Sequence, residues 1–194
     1  MTIGFFGGSF NPVHFGHIQL AQHIAEQCGL DRVWLSPSPQ NPLKSQLQGA
    51  TDEQRLEMLT LACRPYTNLH ASAVELSLPK PSYTINTLRH LQQRCPQHRF
   101  RLIIGSDNWL IFDRWRSHEE ILRDFDVIVY PRPGFDVAET PGATLLRQAP
   151  LFPYSSTQVR EALAQNADVS KMVPGAVAEY IRQNNLYQIS RLNS

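Results

Sequence analysis

The chain has neither of the two best-known glycine phosphate loops. No G-x-x-x-x-G-K-[ST] occurs, and the first glycine turn has no G-x-G-x-x-G, which argues against a P-loop nucleotidase and a usual dinucleotide dehydrogenase. Charge of one sign is also lacking. The formal net charge is +1, so no global basic field points to a nucleic acid partner, and anion recognition must come from local placement. Cysteine is scarce: Cys28, Cys63 and Cys95 are odd in number and far apart. That spacing offers no disulfide frame and no zinc site, and it suits reduced thiols in a cytoplasm. No apolar run reaches the length of a membrane span, and the N-terminus has no basic n-region with a long apolar stretch, so no membrane partner is expected. Internal repeats and low-complexity tracts are absent. A chain of 194 residues is expected to form one domain over 1–194.

What is present centres on Gly7-Gly8-Ser9-Phe10-Asn11-Pro12-Val13-His14-Phe15-Gly16-His17. An apolar run, Ile3 to Phe6, precedes it, and an amphipathic segment, Ile18 to Cys28, follows. The layout is strand, glycine turn, helix. Small residues let the backbone approach a ligand, and a helix start offers free N–H groups and a positive dipole end. His14 and His17 are spaced to share a helix face, so a phosphate in the turn meets both imidazoles.

Arg32 to Leu35 reads as a second strand, closing a β-α-β unit. Ser36 to Ala50 carries Pro37, Pro39 and Pro42 and one cation, Lys44. Prolines keep it out of helix interiors and central strands, and such loops at strand ends often carry function. Thr51 with Gln54 fits a capping box opening a helix to Cys63; Arg55 falls off its apolar stripe, and a surface position is expected. Leu69 to Leu78 alternates loosely and is expected to be a strand with its outgoing loop. Ser82 or Thr84 is expected to cap a helix with Ile85, Leu88 and Leu91. Phe100 to Ile104 reads as a central parallel strand. Asp107, just beyond it, is either the N-cap of the next helix or an acceptor for ribose hydroxyls. Of Trp109 and Trp115, one suits the core and the other suits stacking on an aromatic ring. Ser117 with Glu120 forms another capping-box pattern, Asp126 to Tyr130 another strand, and Thr144 to Phe152 the region of the last one. Tyr154 to Arg160 sets hydroxyl residues at a helix start with Arg160 one turn in. It is either a Ser155–Gln158 capping box with a surface arginine or a second anion site. Val173-Pro174 starts a terminal helix. Five or six strands alternating with helices predict an α/β, Rossmann-like, doubly wound and mostly parallel sheet flanked by helices.

With these residues in place, the chain resembles the bacterial nicotinate-nucleotide adenylyltransferases, of the nucleotidyltransferase superfamily with an H/T-x-G-H signature. GGSFNPVHFGH matches G-G-[ST]-F-[DN]-P-x-H-x-G-H, and SYTINTL, IIGSDNW, Trp115, YPRPG, YSSTQVR and VPGAVAEYIRQNNLY follow in family order. Two departures stand out. The loop reads Asn41-Pro42-Leu43-Lys44 where P-P-H-K or P-P-H-R is common, and Asn11 stands for a frequent aspartate. The resemblance implies transfer of AMP from ATP to nicotinate mononucleotide, giving deamido-NAD and pyrophosphate in NAD biosynthesis. It implies direct in-line attack with Mg2+ held mainly by ATP phosphates.

The resemblance also carries roles over by position. His14, His17, Lys44 and Arg160 are the expected catalytic set. Gly8, Ser9, Phe10, Gly105, Asp107, Ser156 and Thr157 join His14, His17 and Arg160 in ATP binding. Lys44, Thr84, Trp115, Arg116 and Arg132 are expected on the acceptor, with Trp115 stacked on the pyridine and N–H groups near Thr84 and Arg116 taking the carboxylate. Phosphates nearby favour the imidazolium form of the histidines. The same chemistry with nicotinamide mononucleotide, or a nucleotide sensor without turnover, are the rival readings. A homo-oligomer is left open.

Overall fold

Two near-continuous apolar runs, buried from both faces, form the centre of the sheet. They are β1, Thr2–Gly8, and β4, Arg99–Gly105, paired in parallel with Gly4 opposite Arg101 and Phe6 opposite Ile103. The protein is described by a computed structural model over residues 1–39, 49–149 and 153–188. Outward from this pair lie β2, Arg32–Pro37, and β3, Leu69–Ala71, on one side. On the other lie β5, Asp126–Tyr130, and β6, Thr144–Leu145. The order is β3-β2-β1-β4-β5-β6, and every pairing is parallel. The expected sheet is thus found, with six strands among the described residues, all parallel.

Helices cover both faces. On one, α1 (Phe15–Gln27), α2 (Asp52–Cys63), α7 (Ser156–Ala164) and α8 (Gly175–Gln183) bury Ile18, Ile24, Met58, Leu59, Val159, Val177 and Ile181 against Phe6, Val33 and Leu35. On the other, α4 (Thr84–Arg94) and α6 (His118–Asp124) bury Ile85, Leu88, Leu91 and Ile121 against Ile3, Phe5, Leu102 and Ile104. Each such side chain contributes about 1.5–3 kcal/mol of apolar burial, so the two cores hold the strand ends firmly. The chain reverses direction across the sheet between β1 and β4. In open α/β sheets that switch point opens a crevice beyond the carboxyl ends of the strands.

Local signals were obeyed where their partners are local. Thr51 and Gln54 close the expected capping box of α2 at 2.9 and 3.2 Å, and Ser155 and Gln158 close that of α7 at 2.8 and 3.3 Å. Gly29, at φ +59°, takes the left-handed position just past the end of α1.

Other expectations need correction. In Leu69 to Leu78 the strand is found at the start, but the outgoing part is helical rather than a loop. Pairing stops at Ala71, and Val74–Ser77 forms a short helix, α3. The Ser72 hydroxyl takes the Val74 N–H and the Ser36 hydroxyl takes the Glu75 N–H, which draws the chain out of the sheet. Neither Ser82 nor Thr84 caps α4; Tyr83 holds the N-cap position with no side-chain bond. The Ser117–Glu120 box does not form. Ser117 has φ +55°, and Glu120 is taken by a two-pronged bond from Arg89 on α4 at 2.7 and 2.5 Å. The last strand does fall within Thr144 to Phe152, as the two residues Thr144–Leu145; residues 150–152 lie outside the described set. Arg55 is the largest reversal: it is fully buried.

Candidate functional site

The switch-point crevice is a cleft of about 690 Å³, within the range of small-molecule sites. Its floor is the turn from β1 into α1. Gly8, Ser9, Phe10, His14 and His17 line it. Phe10, at φ +43°, turns its ring into the core, edge-on to Phe6 at 5.7 Å and to His17 at 4.9 Å. It therefore packs behind the histidine while lining the turn.

His14 occupies the N-cap of α1 and His17 lies one turn on, so the rings stack with centroids 3.7 Å apart. The backbone N–H of His14 donates to His17 Nδ1 at 3.3 Å. In the neutral ring this leaves the proton on Nε2. Burial lowers the pKa of His14 to about 4. Burial, then the neighbouring His14 and Arg132, hold His17 well below its usual value. In the free protein near pH 7 both rings are neutral; the cationic form expected beside phosphates requires a bound anion.

Arg55 braces this floor from beneath. Its guanidinium donates to the Ser9 carbonyl at 2.5 Å, the Ser38 carbonyl at 2.7 Å and the Asp52 carboxylate at 2.7 Å. The end of β1 is also bonded to the segment after β2, by Ser38 N–H to the Gly8 carbonyl at 2.8 Å. One planar fork thus fixes the two chain segments that leave the sheet on either side of the first turn.

The start of α7 forms the opposite wall, where Ser156, Thr157 and Arg160 line the cleft. The Ser156 hydroxyl donates to the Pro12 carbonyl at 3.0 Å, and Arg160 donates to the Asn11 carbonyl at 2.7 Å and to Thr157 Oγ1 at 3.1 Å. The Ser155–Gln158 capping box forms, and Arg160 is turned onto the first turn by its bond to the Asn11 carbonyl. Asn11 Oδ1 accepts from the Tyr187 hydroxyl at 2.6 Å, tying the segment after α8 to the same turn.

At the end of β4, Gly105 lines the cleft, and a Cβ there would collide with the side chains of Asp107 and Arg132. Asp107 falls inside the short helix α5, Ser106–Trp109, whose N-cap is Gly105, so its reading as an N-cap is overturned. Its carboxylate pairs with Arg132 at 3.0 Å, while the Arg132 N–H donates to Ser106 Oγ at 2.9 Å. Arg132 lines the cleft; Asp107 reaches it through this pair rather than as a lining residue.

The remaining wall, on the α4 face, carries Ser38, Glu75, Thr84 and Trp115. Trp115 is half-buried, its ring 5.3 Å from Phe112 and tilted to it, whereas Trp109 stacks on Phe112 at 5.2 Å. Thr84 opens α4, whose first N–H groups have no partner within the helix. Arg116 is not a lining residue; its guanidinium sits 4.8 Å above the Tyr83 ring. Lys44 lies outside the described residues. Sequence reasoning missed Arg55 and Glu75. Among the described residues, no group of three or more His, Cys, Asp or Glu is disposed to hold a metal ion, and no helix is long and apolar enough to cross a membrane.

Residues 5–162 match the family described as cytidylyltransferase-like. A relative from Bacteroides fragilis, described as "Probable nicotinate-nucleotide adenylyltransferase", is 46% identical over 182 residues, covering 93% of this chain and 90% of the relative. One of the same description from Flavobacterium johnsoniae is 39% identical over 196 residues, covering 97% and 100%. The fold is similar to that of a Plasmodium falciparum nicotinic acid mononucleotide adenylyltransferase. In its complex with NaAD the TM-score is 0.78 at 21% identity, covering 96% of this chain and 97% of that one. In its complex with APC the TM-score is 0.76 at 21% identity, covering 96% of each.

Proposed function

The chain belongs to the cytidylyltransferase-like family, and within it to the nicotinate-nucleotide adenylyltransferases, and from that premise we propose that it transfers AMP from ATP to nicotinate mononucleotide, forming deamido-NAD and pyrophosphate. One observation carries the reading to these residues. A single cleft joins two helix starts of anion-binding type, those of α1 and α7, to a wall bearing an aromatic ring and the free N–H groups of α4. Such a cleft suits a triphosphate on one side and a pyridine mononucleotide on the other.

The triphosphate lies between the Gly8–His17 turn and the α7 start. His14, His17 and Arg160 meet its charge, helped by the Ser156 and Thr157 hydroxyls; Gly105 and Asp107 hold the adenosine side, and Arg132, expected on the acceptor from the sequence, is reassigned to that side because it is paired with Asp107 at 3.0 Å. Trp115 stacks on the pyridine, and N–H groups at Thr84 take the carboxylate. Arg116 contributes through the backbone, since its guanidinium rests on Tyr83. Lys44 is assigned to the acceptor phosphate.

A phosphate oxygen of the mononucleotide attacks the ATP α-phosphorus in line. The new P–O bond forms as the bond to the β-phosphate bridge breaks, and pyrophosphate leaves with the electron pair. The attacking dianion has no proton to lose, so positioning and charge stabilisation do the work. His17 Nε2–H donates to oxygens whose charge grows in the transition state. Magnesium would enter this site with the nucleotide, held mainly by phosphate oxygens and water. Bound there, it supplies countercharge to the polyphosphate.

Pyrophosphate release from ATP and magnesium, measured with nicotinate and nicotinamide mononucleotide in parallel, tests the reading. The acid is expected to be used at least about tenfold better by kcat/KM, a difference of about 1.4 kcal/mol. Faster release with the amide overturns the carboxylate assignment, and no release with either overturns the reaction.

A further inference from the structure

Glu75 is a buried carboxyl in the cleft, and neither the brace beneath the floor nor the two anion-type helix starts use it. It stands on α3, is 6% exposed, and lines the wall that carries Ser38, Thr84 and Trp115. Its placement is specified. The Ser36 hydroxyl holds its N–H at 3.4 Å, and the Ser38 hydroxyl donates to Oε2 at 3.0 Å. Oε2 rests on the backbone of Gly7, where an added Cβ would come within 3.2 Å of it. Among the described residues that hydroxyl is the one donor to the carboxyl. Burial pushes its pKa up to about 7, while Ser38 and Arg55 act in the opposite direction. A buried carboxyl with open acceptor capacity is costly unless a ligand brings donors.

The acceptor assigned under the proposed function narrows what those donors are. Nicotinate mononucleotide presents a carboxylate and a phosphate, which a carboxylate repels, and a ring without N–H groups. Its hydrogen-bond donors are the ribose hydroxyls. Carboxylates fill this role elsewhere on doubly wound sheets, accepting from a ribose hydroxyl beside the strand ends. We propose that Glu75, oriented by Ser38 and seated on Gly7, binds the ribose hydroxyls of the acceptor mononucleotide. The inference rests on the proposed reaction and adds a residue that fixes the sugar, and with it the direction in which the acceptor phosphate points. Gly7 has a reason beyond turn geometry: a Cβ there would crowd the carboxyl at 3.2 Å and shift it by a few tenths of an ångström.

The test compares wild type with Glu75→Gln, which keeps the size and can still accept from Ser38. Steady-state KM is measured for ATP, nicotinate mononucleotide and its 2′-deoxy and 3′-deoxy analogues. The variant is expected to raise KM for the normal acceptor about tenfold to a hundredfold while KM for ATP stays within about twofold, the size of a charge-assisted hydrogen bond lost on one substrate. Removal of the bonded hydroxyl should abolish most of that penalty, which a merely structural role would not do. An unchanged acceptor KM, an equal rise for ATP, or a penalty undiminished on both deoxy analogues overturns the proposal and leaves the reaction standing. Failure of wild type to use nicotinate mononucleotide overturns both.

Discussion

Replacing Arg55 by methionine should destabilise the protein more than almost any other single change near the cleft. The side chain is fully buried, and its fork satisfies two backbone carbonyls, Ser9 and Ser38, besides the Asp52 carboxylate. Methionine fills much of the volume but donates nothing. Each buried carbonyl left without a donor costs about 1–3 kcal/mol. Two of them, with the lost ion pair, give about 3–5 kcal/mol, as for breaking a buried pair from one side. Against a typical total of about 5–15 kcal/mol this is a large fraction, and the urea midpoint should fall by about 2 M for a slope near 2 kcal/mol/M. The same change releases the Ser9 carbonyl under the phosphate turn, so kcat/KM should drop at least about tenfold in conditions where the variant remains folded. Arg55→Lys, which keeps the charge without the planar fork, should fall between. A midpoint change worth less than about 1 kcal/mol for Arg55→Met would refute the reasoning, because it would mean that the three bonds contribute no more than a surface pair.

His17→Ala should lower kcat by about 10²–10³ with the folded state retained, as for loss of a donor to developing charge; kcat within a few-fold of wild type would exclude that role. The pH dependence of stability carries opposing signs from two buried groups. Glu75, raised from 4.5 to about 7, favours its neutral form when folded, so its contribution is fully present below about pH 4.5 and is lost as pH rises through 7. His14, lowered from 6.5 to about 4, is buried neutral, so its contribution is present above about pH 6.5 and is lost as pH falls through 4. Glu75→Gln should therefore gain on wild type in urea unfolding as pH rises from 4.5 to 7, levelling at about 3 kcal/mol; a difference that does not vary between pH 5 and 8 would contradict the assignment.

The sheet was legible because its central strands are apolar runs that only double-sided burial explains, as at Phe100–Ile104. The helix starts at Thr51 and Ser155 were legible because each capping box is closed within one turn. What was illegible is long-range. Arg55 looked like a surface residue because it lies off the apolar stripe of its helix. Its partners are carbonyls of Ser9 and Ser38, and a backbone acceptor leaves no mark in a sequence. Glu120 was withdrawn from its predicted box by Arg89, 31 residues earlier. Glu75 was concealed inside a stretch that alternates like a strand; hydroxyls of Ser36 and Ser72 turn that stretch into a short helix aimed at the cleft. Within the site, the glycine turn and both helix starts follow from local pattern. The stacking of His14 on His17, and the neutrality that burial imposes on them, follow from packing that spacing alone does not convey.

The central claim is that the cleft brings two phosphates together and that the protein contributes no nucleophile. Stereochemistry at the transferred phosphorus tests it most directly. One diastereomer of ATP carrying sulfur at the α-phosphorus would be turned over with nicotinate mononucleotide, and the configuration of the dinucleotide product determined. A single in-line displacement inverts the centre, and inversion is the expected result. Retention would require two displacements and a covalent adenylyl-enzyme, and would contradict it.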